Sequence, residues 1–205
     1  MVADSRMRTL AADYGLLVVA GLFALLGVAG IALYLAGDGA TAERLLDRYG
    51  FAALLFAFLL EGAMLLYFAP SEALVPAAVA VLARTTGGYD LPVVAAILLI
   101  AVAGATAGQT GLFLLAKRGG REWLLARPWF RVGPDRLDRF GHMFDRYGLL
   151  AVPLSNTLLF TRGMLTVPAG LAGMKTRRFV ALSALGTLSF ELLLAAAAMG
   201  VLELV

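Results

Sequence analysis

The chain has 205 residues, of which 61% are hydrophobic and 15% charged, and its net charge is +3. A mean hydropathy of +0.87 means more apolar surface than one soluble domain of this length could bury, so the composition predicts an integral membrane protein. The lack of cysteine excludes disulfides and thiolate metal sites, and the single histidine excludes a multi-histidine site. The small net charge does not suggest a nucleic-acid partner. We expect no metal and no cofactor.

Three apolar stretches are long enough to cross a membrane, residues 14–36, 91–116 and 179–202. A spanning helix needs about 20 apolar residues, because the hydrocarbon core is about 30 Å thick and a helix rises 1.5 Å per residue. Arg6 and Arg8 precede the first stretch, as in a signal peptide. The stretch is longer than a typical signal and lacks a clear cleavage site, which favours a retained transmembrane helix.

Two further apolar stretches, residues 51–83 and 149–174, are interrupted by prolines and polar residues. The interrupting residues of the first are Glu61, Pro70, Ser71 and Glu72, and those of the second are Pro153, Asn156, Arg162 and Pro168. Residues 73–83, after the first interruption, are too few to span. We therefore predict two re-entrant helical hairpins broken at Pro70 and Pro168. Lipid tolerates such backbone only where it is buried in protein or lines a watery cavity.

An internal repeat supports the two hairpins. The motif Asp-Arg-Tyr-Gly at residues 47–50 recurs at 145–148, and the same offset of 98 residues carries Pro70 onto Pro168. Each unit is then a hairpin followed by a transmembrane helix. A hairpin contributes no crossing and the following helix contributes one, so the second unit begins on the opposite side of the membrane. The repeat is therefore predicted to be inverted, as in many transporters.

The predicted fold is thus an all-α polytopic membrane protein in two parts. An N-terminal segment with its transmembrane helix covers 1–44, and a transport domain covers 45–205, with repeats at about 45–118 and 134–202. On this topology thirteen lysines and arginines fall on one side of the membrane and three on the other. The positive-inside rule makes the first side cytoplasmic, with the N-terminus inside and the C-terminus outside an inner or plasma membrane.

The segment between the repeats, residues 119–146, is amphipathic. Trp123 and Trp129 lie among arginines, and apolar residues then follow at helical spacing. We predict that this segment lies in the cytoplasmic membrane interface. His142 falls within it and is interpreted as a surface residue rather than a catalytic one.

Four ionisable residues lie at predicted membrane depth: Glu61, Glu72, Arg162 and Glu191. Each charge costs roughly 2.5 to 3.5 kcal/mol at a helix centre, so we expect these side chains to converge on one polar cavity. A buried arginine fork suits phosphate oxygens, and desolvated carboxylates beside it can carry protons. The alternative is a structural ion pair between Arg162 and one glutamate. For Glu191, the cavity and a pair elsewhere both stay open.

These residues, with the segments GATAGQTGLFLLAKRGG from Gly104 and RGMLTVPAGLAGM from Arg162, resemble the DedA family, also called the VTT or SNARE-associated-like domain. The resemblance covers roughly residues 45–200. It implies two re-entrant hairpins in an inverted repeat and the flipping or scrambling of lipids such as undecaprenyl phosphate and phosphatidylethanolamine, often dependent on a proton gradient. The chain departs from the family at Gln109, where an acid is usual, and at Asn156 and Leu159, where the family has an arginine and a proline.

The function that we predict is a lipid transporter, a flippase or scramblase that moves an anionic headgroup across the bilayer. We predict that Arg162, Asn156 and Ser71 bind the substrate. Glu61, Glu72 and Glu191 are predicted to be cavity carboxylates that exchange protons. The alternatives are a proton-coupled carrier of a small soluble anion, a membrane-embedded lipid phosphatase and a non-transporting scaffold. No Gly-x-Ser-x-Gly motif supports an enzyme. The sequence leaves open which lipid is moved, the direction and energetics of transport, and whether the chain forms a homo-oligomer.

Overall fold

The computed structural model describes residues 39–65, 71–127, 130, 132–158 and 161–200, together with Val18, Gly21 and Leu25. The helices between residues 39 and 200 are α1 (Gly39–Gly62), α2 (Leu74–Leu82), α3 (Leu91–Leu125), α4 (Pro134–Tyr147), α5 (Ala151–Thr157), α6 (Thr166–Leu171) and α7 (Thr176–Ala198). Short 3-10 helices, Ser71–Ala73 and Gly148–Leu150, precede α2 and α5. The described residues do not include Pro70, Trp129, Leu159 or, apart from Val18, Gly21 and Leu25, the predicted span 14–36. The side chain of Ser71 is likewise not described.

Two helices in the described part of the chain, α3 and α7, are long and apolar enough to cross a membrane. They correspond to the predicted spans 91–116 and 179–202. Helix α3 begins where the Asp90 side chain accepts a hydrogen bond from the Val93 amide at 3.2 Å. It continues past its predicted end to Leu125, with a kink at Gly120, where a φ of 78° suits a residue without a side chain.

The first interrupted stretch leaves its helix after Glu61 and before Pro70. Helix α1 runs through Glu61 and ends at Gly62, so this glutamate does not interrupt the helix. The chain leaves helical geometry at Met64, which has a φ of +58°. Helix α2 then has nine residues, about 14 Å at 1.5 Å per residue, so it is a short arm as predicted. An antiparallel strand pair that was not predicted, β1 (Arg84–Thr85) and β2 (Gly88–Tyr89), leads into α3.

The second interrupted stretch contains two short helices, α5 and α6, separated by residues 158–165. Pro168 is the third residue of α6 and is buried there. Pro168 therefore follows the break at residues 158–165 and does not lie in it. A proline in the first turn of a helix removes an N–H group that has no partner within the helix anyway, so Pro168 is compatible with α6.

The two short helices carry the same tripeptide, Val-Pro-Ala, directly after their first residue, at residues 75–77 in α2 and 167–169 in α6. The counterpart of Pro168 is thus Pro76 rather than Pro70. The Asp-Arg-Tyr-Gly motifs also differ in setting, because the first lies inside α1 and the second ends α4. The chain between motif and short helix is shorter in the second half, so one sequence offset cannot align both features.

Helices α3 and α7 pack antiparallel in the centre of the molecule. Phe113 stacks on Phe179, Gln109 contacts Ser183, and the Tyr89 hydroxyl just before α3 donates to the Ala198 carbonyl at the far end of α7. The contacts thus run in opposite order along the two helices. Next to α3, the apolar residues of α1 and α2 form the principal hydrophobic cluster with Ile97, Ala101 and Ala195.

Glycines allow the neighbouring helices to approach this pair closely. A Cβ on Gly108 would lie 2.1 Å from the Leu59 carbonyl oxygen of α1, and one on Gly170 would lie 2.6 Å from the Phe113 carbonyl oxygen. A Cβ on Gly104 would likewise lie 2.7 Å from the Leu55 carbonyl oxygen, so the helices approach closely there too. Such a close approach is not found at Gly111 or Gly173, where a Cβ would meet nothing within 4 Å. Gly173 instead has a φ of +72°, which a turn requires.

The amphipathic segment is built from the end of α3 and from α4. Leu137 on α4 is buried against Leu124 on α3, while Nη2 of Arg121 donates to both carboxylate oxygens of Asp138 at 2.9 Å. His142 lies on the exposed side of α4. The segment therefore packs one face on the bundle and leaves charges on the other, as its sequence pattern predicts.

Candidate functional site

Arg162 lies in the turn between α5 and α6, on residues that hydrogen bonds fix in place. The Ser155 hydroxyl donates to the Thr161 carbonyl at 2.5 Å, and the Thr161 hydroxyl donates to the Ser155 carbonyl at 3.2 Å. The next residue, Gly163, has a φ of +70° and donates its N–H to Asn156 Oδ1 at 3.0 Å. These contacts hold the turn against α5 and direct the Arg162 side chain to two other helices.

The Arg162 guanidinium contacts carboxylates on two different helices, α1 and α7. Its Nε lies 3.1 Å from Glu61 Oε1 of α1, and its Nη2 lies 2.5 Å from Glu191 Oε1 of α7. The side chains of Arg162 and Glu191 are 5% and 0% exposed. We call Arg162, Glu61 and Glu191 the ionic cluster. It unites residues that are 101 and 29 positions apart, and Glu191 is in the cluster rather than paired elsewhere.

Hydrogen bonding in the ionic cluster is incomplete. Within the described part of the chain, the buried atoms Arg162 Nη1 and Glu191 Oε2 have no hydrogen-bond partner. The Arg162 Nε is close to Glu61 but not aligned for a hydrogen bond. The Phe190 ring covers the guanidinium, with its centroid 4.4 Å from Cζ. Buried polar atoms are nearly always bonded to protein or water, so this cluster has capacity for a further ligand.

Glu72 lies beside the ionic cluster without a contact to Arg162 among the described hydrogen bonds and ion pairs. Its charge acts on both Glu61 and Glu191. When all three groups of the ionic cluster are ionised, two carboxylates contact one guanidinium, so the cluster carries an excess of one negative charge. An anion can enter such a site favourably only when protons neutralise part of this excess.

A second polar group lies next to the first and is neutral. Asn156 Nδ2 donates to Gln109 Oε1 at 2.8 Å and to Ser183 Oγ at 3.2 Å, and the Ser183 hydroxyl also donates to Gln109 Oε1. We call Asn156, Gln109 and Ser183 the amide cluster. With Gly163 bonded to its Oδ1, Asn156 uses both its donor and acceptor atoms and is 2% exposed. We therefore expect it to position the turn rather than to touch a substrate.

The amide cluster contains two positions at which the chain departs from the pattern that it resembles. These two positions are Asn156 and Gln109, and the structure shows that their side chains bond to each other. Sequence reasoning noted both departures but had no signal that they touch, because they are 47 residues apart.

The polar groups between α3 and α7 form successive layers. From the start of α7, the Phe113–Phe179 stack comes first and the amide cluster second. Thr106 of α3 and Thr187 of α7, both buried, come third, and Glu191 with the ionic cluster comes fourth. Sequence reasoning missed Thr187. The signal was present in the four-residue spacing of Ser183, Thr187 and Glu191, which puts them on one face of a helix.

Two cavities lie away from the ionic cluster, beside α4. One of about 340 Å³ is lined by Arg121, Asp138 and His142 of the amphipathic segment and by Pro168 of α6. A smaller cavity of about 100 Å³ lies between Phe140, Met164 and Val167. The residues that the structure describes include no group of three or more histidine, aspartate or glutamate side chains that could hold a metal ion.

Comparison with protein-family models identifies one match. Residues 69–199 match the model of the VTT domain, which covers α2 to α7 and therefore both Arg162 and Glu191. Comparisons with curated proteins and with solved structures give no match.

Proposed function

The chain belongs to the VTT-domain family, also called the DedA family, and from that premise we propose that it moves lipids with an anionic headgroup across the bilayer. Proteins with this domain are membrane-associated and commonly linked to transport or lipid handling. The observation that carries the proposal is the Arg162 guanidinium, which is buried and has a free Nη1 atom within the described part of the chain. A guanidinium with an unused donor edge can bind phosphate oxygens.

The charge balance of the ionic cluster supports coupling to protons. With two carboxylates already in contact, Arg162 attracts a phosphate only weakly until at least one carboxylate is protonated or moves away. Glu61, Glu72 and Glu191 would then take up protons as the headgroup binds and release them as it leaves. Polyprenyl phosphates and phospholipids both present a phosphate, and the apolar outer faces of α3 and α7, such as Leu99 and Leu185, favour a lipid over a soluble anion.

The topology is also part of the proposal. We infer that α2, and α5 with α6, are arms of re-entrant hairpins in an inverted repeat, with the N-terminus cytoplasmic. A cysteine placed at Gly87, which is exposed between β1 and β2 with open space around it, tests this inference in a chain without cysteine. Gly87→Cys should react with an impermeant maleimide added outside cells. Labelling only after the cells are opened would make the first hairpin a full crossing.

Lipid movement in liposomes tests the function directly. We expect the purified protein to move fluorescent phospholipid or polyprenyl phosphate between leaflets, and Arg162→Ala to reduce this rate at least tenfold. Arg162→Lys should recover only part, because an ammonium cannot form the planar fork. Glu72→Gln keeps the shape of the side chain, removes its charge, and should also abolish movement.

The matched control is Arg84→Ala, which removes an exposed arginine from β1 and should leave the rate unchanged. Wild-type protein that transports a soluble anion but no lipid would support the alternative carrier. We propose that the chain is not an enzyme, so release of inorganic phosphate from the lipid would contradict that view. If Arg162→Ala moved lipid at the wild-type rate, Arg162 would not be the residue that binds the headgroup.

A further inference from the structure

Two consecutive residues of α7, Phe190 and Glu191, both contact the Arg162 guanidinium. Glu191 Oε1 lies 2.5 Å from Nη2. Phe190 contacts the cation in another way, because Cζ of Arg162 lies over its ring at 4.4 Å from the centroid. Phe190 is 4% exposed, so its ring is enclosed together with the cation. The ring is the one uncharged group of the described residues that has a ring contact with Arg162.

The ring leaves the hydrogen-bond donors of Arg162 to other groups. These donors lie in the plane of the guanidinium and form a rigid fork. Nε and Nη2 lie 3.1 and 3.4 Å from the Glu61 carboxylate, and Nη2 also donates to Glu191. Nη1 has no hydrogen-bond partner among the described residues. An aromatic ring attracts the cation through its quadrupole and is a weak acceptor for N–H groups, so Phe190 does not replace a phosphate at Nη1.

The contact with Phe190 also differs from the carboxylate contacts in its dependence on protons. On the proposed function, Glu61 and Glu191 take up protons as the headgroup binds, and their attraction for Arg162 is then lost. A phenyl ring has no proton to exchange, so its attraction for the cation persists through this step. A long side chain that is already held loses less rotamer freedom when a ligand binds to it.

We propose that Phe190 is a positioning residue for the headgroup, which holds the Arg162 guanidinium in place while a phosphate replaces a carboxylate. This inference rests on the proposed function and adds to it the group that keeps the fork oriented when the ion pairs are broken. Phe190 would act through Arg162 and not on the lipid itself. Its effect should therefore require both the aromatic ring and the guanidinium.

Equilibrium binding of short-chain phosphatidic acid to the protein in detergent tests the role of the ring. Phe190→Leu keeps an apolar side chain but removes the ring, and should lower the affinity about tenfold, because a desolvated cation loses its aromatic partner. Phe190→Tyr keeps the ring and should retain the affinity within about twofold. Diacylglycerol with the same chains lacks the phosphate, and its binding should not change in any of these variants.

Phe179→Leu is the matched control. Phe179 is a buried residue of the same helix, but its ring stacks on Phe113 at 4.2 Å between centroids rather than on a cation. This variant should lose stability but not affinity for phosphatidic acid per folded molecule. Thermal unfolding in detergent measures the folded fraction of each variant. If Phe190→Leu does not fold, Phe190→Met removes the ring with a more adaptable side chain and the same loss of affinity is expected.

A double-mutant cycle with Arg162→Lys distinguishes positioning from packing. An ammonium is a compact charge with rotatable donors, so it has no plane that needs to be held. Phe190→Leu should therefore lower the affinity no more than about twofold when residue 162 is lysine, against about tenfold when it is arginine. Equal losses in the two backgrounds would overturn the positioning role, because the ring would then act independently of the guanidinium.

The outcomes separate the positioning role from the proposed function. Wild-type affinity in a folded Phe190→Leu protein would overturn the positioning role, whatever the rate of lipid movement in liposomes. A wild-type protein that binds phosphatidic acid in a way that depends on Phe190, but moves no lipid, would support the positioning role and contradict the proposed function. A wild-type protein that does not bind phosphatidic acid would contradict both.

Discussion

The ionic cluster and the amide cluster are built alike but bonded differently. In each, a residue of the second hairpin reaches α7 and one other helix: Arg162 contacts Glu191 and α1, and Asn156 contacts Ser183 and α3. In the amide cluster, the Nδ2 and Oδ1 atoms of Asn156 both have hydrogen-bond partners. The ionic cluster leaves buried donor and acceptor atoms without partners in the described part of the chain. On the proposed function, the amide cluster holds the fold and the ionic cluster binds the headgroup.

Replacing all three residues of the ionic cluster together is the strongest test of this difference between the clusters. We expect Arg162→Met with Glu61→Leu and Glu191→Leu to remain folded, because apolar replacement of a buried ion group is often neutral or stabilising. Lipid movement should nevertheless be lost, at least a hundredfold, because no cation is left for the phosphate. Thermal unfolding and the liposome assay measure the two effects separately.

The informative partner of this variant is Arg162→Met alone, which leaves two buried carboxylates without their cation. Breaking a buried pair by removing one member typically costs about 3–5 kcal/mol, so the single variant should be less stable than the triple variant. If instead the triple variant still moved lipid at the wild-type rate, the ionic cluster would be a structural feature, and the comparison with the amide cluster would fail.

The sequence predicted which residues are costly and that they converge, but not which of the glutamates contact Arg162. The energetic cost of charge in lipid singled out Glu61, Glu72, Arg162 and Glu191, and the ionic cluster contains three of them. The length rule for apolar helices likewise predicted α3 and α7. Both arguments depend on properties of single residues or single helices, which can be obtained from the sequence without knowing the tertiary structure.

The differences from prediction arose where the answer depends on contacts. Pro168 looks like a helix breaker in sequence, but its place in the first turn of α6 makes it compatible with a helix. The offset of 98 residues aligned Pro70 with Pro168, whereas Pro76 takes the equivalent place in α2. The bond between Asn156 and Gln109 joins residues on different helices, and no local pattern reports such a pair.

The smaller expected effect on lipid movement comes from the amide cluster, through Asn156→Leu. Leucine has a similar size but cannot accept the Gly163 N–H or donate to Gln109, so buried polar groups lose their partner. An unsatisfied buried group costs about 1–3 kcal/mol, and thermal unfolding in detergent should show this loss of stability. Lipid movement per folded molecule should fall by no more than a few-fold, because the two Ser155–Thr161 hydrogen bonds still hold the turn that carries Arg162.

Ser189→Ala is the control for this variant, since it removes an α7 hydroxyl that donates to the Leu185 carbonyl of its own helix. It should change neither stability nor rate. The decisive quantity is the rate of lipid movement divided by the amount of folded protein. If Asn156→Leu were as stable as wild type but lost lipid movement as fully as Arg162→Ala, Asn156 would act on the headgroup directly. Asn156 would then have to exchange its bonds to Gln109, Ser183 and Gly163 for bonds to the lipid. The amide cluster and the ionic cluster would in that case be parts of one binding site.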